Sequence, residues 1–198
     1  QAWTSDNSDA VERLKIQYGT SYLYPISSMG AHVSAIPNHQ MFRNTPLSTR
    51  GNVAFFGAFG YELDLSKLTD EEMALVKQRV SFMKEYRDVL QFGDFYRLKS
   101  PFTSDETVWE TVSQDKSAAV VGYYRILNEV NVGYRRIRLQ GLDEEAFYHV
   151  SVLDRVIEGR ELMTAGLILS DYTSGENGET YTGDNGDFTS RLYILKKI

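Results

Sequence analysis

A chain of 198 residues that is 42% hydrophobic and 24% charged has enough apolar material for one large globular domain or two small ones. Its net charge of -6 works against a nucleic-acid partner or an anionic membrane, both of which select a basic face. The lack of cysteine removes disulfides, thiol nucleophiles and thiolate metal sites, and no apolar run is long enough to span a bilayer.

The first predicted element is a helix over Asp9–Tyr18, in WTSDNSDAVERLKIQYGTS. Ser8 or Asp9 serves as N-cap, Glu12 faces the positive end of the helix dipole, and Val11 and Leu14 begin an apolar face that Gly19 ends. One cap is enough, so Trp3, Thr4, Ser5 and Asp6 are left without a structural task. TSYLYPISSMG then reads as a β-favouring run interrupted by Pro25. After the polar stretch PNHQMFRNTPLSTRGN, with room for a short helix beyond Pro46, VAFFGAFGYELDL reads as a strand covered on both faces. Gly57 and Gly60 within it mark a close approach of backbone or ligand. Thr69 and Glu72 form a capping box, with Leu68 and Met73 as hydrophobic staple. They open a helix from about Asp70 to Leu90 whose Met73, Val76, Val80, Met83 and Leu90 share one face. Such strand–helix alternation indicates a parallel sheet with helical crossovers.

From Phe95 the pattern becomes short strands between turns: VWETVSQ, AAVVGYYRIL, RRIRLQGL, AFYHVSVL, LMTAGLIL and SRLYILKK. No helix is expected there, and an antiparallel sandwich fits best. The surplus of aromatics, 13 Tyr and 10 Phe, agrees with β-structure or with sugar-facing surfaces. About two strand–helix units cannot close a barrel of eight, so the first half, beginning at Gln1, is expected to be the end of a larger α/β barrel.

WTSDNSDAVERLKIQYGTS, YPISSMGAHVSAIPNHQ, GNVAFFGAFGYELDL, YRDVLQFGDFYRLKSPF, VGYYRIL and DFTSRLYILKK, in that order, resemble the C-terminal part of the microbial α-galactosidases of glycoside hydrolase family 36. The likeness is weakest between Ser151 and Asn185. It implies an α/β plus all-β fold: residues 1–92 as the last βα units of a (β/α)8 TIM barrel, and 93–198 as a C-terminal antiparallel β-sandwich. It also implies retaining hydrolysis of terminal α-linked galactose in melibiose- and raffinose-type galactosides. A family segment like WTSDDTDA carries the acid/base aspartate and matches Trp3–Ala10, so the resemblance makes Asp6 the proton donor. Trp3 and Asp6 are then candidates for substrate contact. Asn7 stands where many relatives have a second aspartate. The nucleophile segment, like KWDMN, has no match, so the isolated chain is expected to be inactive and to need the barrel upstream of Gln1.

Two carboxyl groups about 5 Å apart are what a retaining glycosidase needs: one attacks the anomeric carbon, the other protonates the leaving oxygen and then activates water. The resemblance further implies a cytoplasmic bacterial enzyme, a homo-oligomer of the tetrameric kind, and no cofactor. A non-catalytic sandwich that binds carbohydrate or a partner is the competing reading. His32 and His39 fit no common metal-ligand spacing, so no metal is assigned; His32 is read first as a packed or surface residue, with the lining of a sugar pocket as the alternative. TSGENGETYTGDNGD is read as a hairpin connection without an EF-hand register. YRRIR is read as a solvated strand or barrel interface, with Arg136 and Arg138 on one face and Arg135 on the other.

Overall fold

A computed structural model describes residues 2–129, 135–169 and 186–198. The chain divides into two compact units, Gln1–Gly93 and Asp94–Ile198.

In the first unit, Ala2 forms a parallel bridge with Met29, ahead of strand β1 (Gly30–Ser34), which pairs in parallel with β2 (Ala58–Glu62). Helices α1 (Ala10–Thr20) and α2 (Leu47–Ala54) are the crossovers, and α3 (Asp70–Phe92) follows β2. Side chains alternate across a strand, and the register Ala31↔Phe59, Val33↔Tyr61 sends these four residues to one side. There they pack with Leu47 and Ala54 of α2 and Val76 of α3. Gly30, His32, Ser34, Ala58, Gly60 and Glu62 must therefore face the other way.

The capping box at Thr69 and Glu72 forms as the sequence requires, and Val76, Met83 and Leu90 of α3 are buried. Two expectations fail. TSYLYPISSMG is not a strand. Leu23 and Tyr24 both donate to the Thr20 carbonyl, folding the chain back after α1 and leaving Tyr22, Leu23 and Tyr24 exposed, and the extended segment starts only at Gly30. VAFFGAFGYELDL is only partly strand: α2 runs through Ala54, Phe55 N–H still bonds the Gly51 carbonyl, and β2 starts at Ala58 and is half-exposed. A short apolar run has no periodicity that separates a helix end from a buried strand. Gly57 is the close approach read from sequence, since a Cβ there would lie 2.6 Å from the Ala31 Cβ.

The second unit is built on a six-stranded sheet in the order β3 (Asp94–Lys99), β4 (Glu106–Val112), β5 (Ala118–Arg125), β10 (Thr189–Lys197), β7 (Phe147–Val150), β8 (Arg155–Glu158), with every pairing antiparallel. A two-stranded ladder joins β6 (Arg136–Ile137) to β9 (Leu167–Ile168). Val108, Val121, Tyr148, Tyr193 and Leu195 of the large sheet share a core with Leu139, Leu162 and Leu167. The expected absence of helix is corrected by α4 (Gly159–Thr164), which buries Leu162 and is too short to show helical periodicity. The TSGENGETYTGDNGD connection lies, up to Asn185, outside the described residues.

Charge is buried in this sheet. Glu106 accepts from the Tyr123 hydroxyl at 2.6 Å and pairs with Lys99 and Arg135, so YRRIR sends Arg135 inward rather than to solvent. Glu110 is fully buried on the core face. Its Oε2 accepts from the Gln140 N–H at 2.9 Å, while Oε1 has no partner among the described residues. Burial pushes its carboxyl from the ordinary 4.5 up to about 8. The folded state therefore holds a proton that the unfolded chain releases near pH 4.5. This stabilising contribution is complete below about 4.5 and is lost as pH rises towards about 8. Urea denaturation across that window should show stability falling by up to about 1.4 kcal/mol per pH unit, and Glu110→Gln should flatten the slope. An unchanged slope in the variant would remove Glu110 as its source.

Candidate active site

The candidate side chains gather where the loop between Ala2 and α1 meets the ladder face that carries Gly30, His32 and Glu62. A small cleft, open to solvent, is lined there by Trp3, Asp6, Arg13, His32 and Glu62, among others. Asp6 is exposed at a bend between Ala2 and α1. Trp3 is 55% exposed, and its ring meets that of His32 edge-on, with centroids 4.9 Å apart. His32 Nδ1 lies 3.5 Å from a Glu62 carboxylate oxygen. The imidazole extends over Gly60, where a Cβ would come within 3.1 Å of its Cδ2. The glycine thus leaves room for a ring directed at the cleft.

Of the two helix-cap candidates, Asp9 takes the role. Its Oδ1 accepts from Val11 N–H and Glu12 N–H, both at 3.1 Å, while the Ser8 carbonyl accepts from the Ser34 hydroxyl at 3.2 Å. α1 runs through Gly19 to Thr20 rather than stopping at the glycine, because Ser21 N–H closes the last turn on the Gln17 carbonyl. Asp9 is 1% exposed and pairs with Arg43, which also reaches Glu12 at 3.7 Å. The Asn38 side chain accepts from the Gln40 and Met41 N–H groups at 3.0 and 2.9 Å and donates to Ser34 Oγ at 3.4 Å. The loop after β1 is thereby tied to the loop that carries Asp6.

Two arginines lie beneath. Arg13 Nη1 donates to Thr4 Oγ1 at 2.9 Å, Nη2 to the Gly30 carbonyl, and Nε to Gln17 at 3.2 Å. Arg50 donates to the carbonyls of Ser34 and Thr45. Burial lowers both guanidinium groups, Arg13 to about 10, which still leaves it charged at neutral pH.

Trp3 and Asp6 are brought together with His32, whereas His39 is exposed and outside the cleft. Among the described residues no three His, Asp or Glu side chains converge as metal ligands do. Sequence reasoning missed Arg13, Asn38, Arg43 and Glu62. Only Arg13 had a signal, as an arginine on the stripe that α1 buries with Ala10, Leu14 and Tyr18. A bent, solvent-open acid beside an aromatic ring and a histidine can exchange a proton with a bound molecule.

Residues 1–93 match the family model Melibiase, and residues 106–195 match the Glycosyl hydrolase family 36 C-terminal domain. The alpha-galactosidase AgaA of Geobacillus stearothermophilus is 52% identical over 198 residues, which is 100% of this chain and 25% of that protein. The bifunctional alpha-galactosidase/sucrose kinase AgaSK of Mediterraneibacter gnavus is 42% identical over 91% of this chain and 19% of its own length. Among solved structures, the GH36 alpha-galactosidase AgaB of G. stearothermophilus superposes with a TM-score of 0.90 at 52% identity, over 100% of this chain and 26% of that one. An AgaA variant in complex with raffinose gives 0.90 at 50% identity, with the same coverage. The chain spans about a quarter of the length of these relatives.

The cap at Asp9 is testable by urea denaturation. Asp9→Ala loses both cap and ion pair and should cost about 2–4 kcal/mol, whereas Asp9→Asn keeps a good capping residue and should cost about 1 kcal/mol less. Equal losses would mean that capping contributes nothing here.

Proposed function

The chain belongs to glycoside hydrolase family 36, and on that footing we propose that it is the acid/base-bearing quarter of a retaining α-galactosidase, with Asp6 as proton donor. In this reading the unit Gln1–Gly93 supplies the last strand–helix units of a (β/α)8 barrel, and the sheet unit is the C-terminal β-sandwich. Terminal α-linked galactose in raffinose- or melibiose-type saccharides is the substrate, a reading supported by the raffinose and stachyose bound in structures of relatives.

The observation that carries the proposal is the position of Asp6. It follows the first parallel segment and precedes α1, on the strand-end face where barrel enzymes assemble their chemistry, and it lines a cleft with an aromatic ring. Asp6 gives its proton to the glycosidic oxygen as the bond to the anomeric carbon breaks. It then takes a proton from the water that frees the sugar. Trp3 offers an apolar face to the galactose ring. The attacking carboxylate comes from the remainder of the protein, so this chain alone should show no turnover.

In the full-length enzyme, Asp6→Asn should lower kcat/KM for raffinose by at least about a hundredfold, since a positioned acid is worth that much against a poor leaving group. For an aryl α-galactoside with an acidic phenol, kcat/KM should fall far less. Equal retention on both substrates would remove Asp6 from the role.

A further inference from the structure

We infer that Arg13 is a positioning residue for the acid-bearing loop, acting through Thr4; the inference rests on the assignment of Asp6 as proton donor. The backbone of Thr4 has φ +58°, a left-handed conformation that a β-branched residue rarely adopts. Ser5 N–H bonds the Trp3 carbonyl at 2.6 Å, closing a three-residue turn around Thr4. A γ-turn with positive φ at its centre is the strained form of that turn. It reverses the chain within three residues, so that Trp3 and Asp6 line one cleft instead of pointing to opposite sides. Something must hold it.

Arg13 is placed to do so. It is 4% exposed, and its three nitrogens reach three separate parts of the unit: the Thr4 hydroxyl, the carbonyl at the start of β1, and Gln17 one turn along α1. Gln17 passes the connection on, donating to the carbonyls of Val53 and Phe56 at 3.0 Å each. Gly30, whose carbonyl takes one Arg13 nitrogen, bonds Ala2 with its own N–H at 2.8 Å. The turn is thus fixed from both ends against one strand.

The partners themselves are informative. Hydroxyl, carbonyl and amide are neutral, so the desolvation of this guanidinium is not offset by a counter-ion in those contacts. Packing alone would be served better by leucine or methionine. The rigid, five-donor fork of arginine is what several fixed acceptors at different angles require, and lysine cannot reproduce it.

The test uses the full-length enzyme and compares kcat/KM for raffinose with kcat/KM for p-nitrophenyl α-galactoside. Thr4→Val keeps the branched shape and deletes the acceptor, while Arg13→Met deletes the donor. Each should lower the raffinose value by about ten- to a hundredfold, as misplacement of a reacting group does, with a much smaller loss on the aryl substrate. The double variant should be no worse than the poorer single one. Arg13→Lys, which keeps a single donor nitrogen, should recover part of the loss. Thr4→Val should unfold cooperatively near the parent temperature, so its kinetics remain readable even if Arg13→Met fails to fold. Proportional losses on both substrates, additive losses in the double variant, or parent-like activity of Thr4→Val would each overturn the inference. Asp6→Asn run in parallel separates the two levels. If it leaves the substrate ratio unchanged, the acid assignment falls and takes this inference with it. If it shifts the ratio while Thr4 and Arg13 variants do not, only the positioning role falls.

Discussion

The alternation of side chains across the β1–β2 ladder is the constraint on which the rest of the N-terminal unit depends. With Ala31, Val33, Phe59 and Tyr61 committed to the helices, the other face is left to Gly30, His32, Ser34, Ala58, Gly60 and Glu62. A slip of one residue in either strand would exchange the two sets, burying a histidine and a glutamate against α2 and α3 and turning valine and tyrosine to the cleft. Hydrophobic burial on one side therefore selects the chemistry presented on the other. The loops that follow the strands need only be held in place.

How they are held is a matter of buried polar groups rather than apolar area. Arg13 and Arg50 donate to carbonyls at the two ends of β1, and Asn38 and Arg43 tie the loop beyond β1 to the residues before α1. Each such contact is directional, so it fixes an angle as well as a distance. The second unit uses buried charge differently. Glu106 sits among Lys99, Arg135 and the Tyr123 hydroxyl, whereas Glu110 has only the Gln140 N–H on one oxygen, and burial pushes its carboxyl up to about 8.

Much of this was legible in the sequence. The Thr69–Glu72 capping box and its apolar stripe located α3 because cap and periodicity agreed from Asp70 to Leu90, and the helix runs on to Phe92. A helix start needs one cap, which left Asp6 without a structural task; its role as proton donor came only from the family resemblance. TSYLYP failed because β-propensity measures how a side chain fits a half-buried surface, and Tyr22 to Tyr24 have none beneath them. The VAFF segment failed because apolar residues at a helix end and in a strand look alike over four positions. The strands DFYRLK and RVIE were passed over, being mixed in polarity and lying beside turns. Asn38, Arg43 and Glu62 carried no local signal, since their partners are distant in sequence and only the fold brings them together.

Asp6 is proposed to handle protons rather than to attack carbon. Azide separates these roles, because it needs no base to activate it and reports by the configuration of its product which carboxylate was lost. The full-length Asp6→Ala enzyme, given p-nitrophenyl α-galactoside and azide, should form α-galactosyl azide, as azide takes the place of water on an intact glycosyl-enzyme. Formation of β-galactosyl azide would mean that the attacking group had been removed, and the assignment of Asp6 would be wrong.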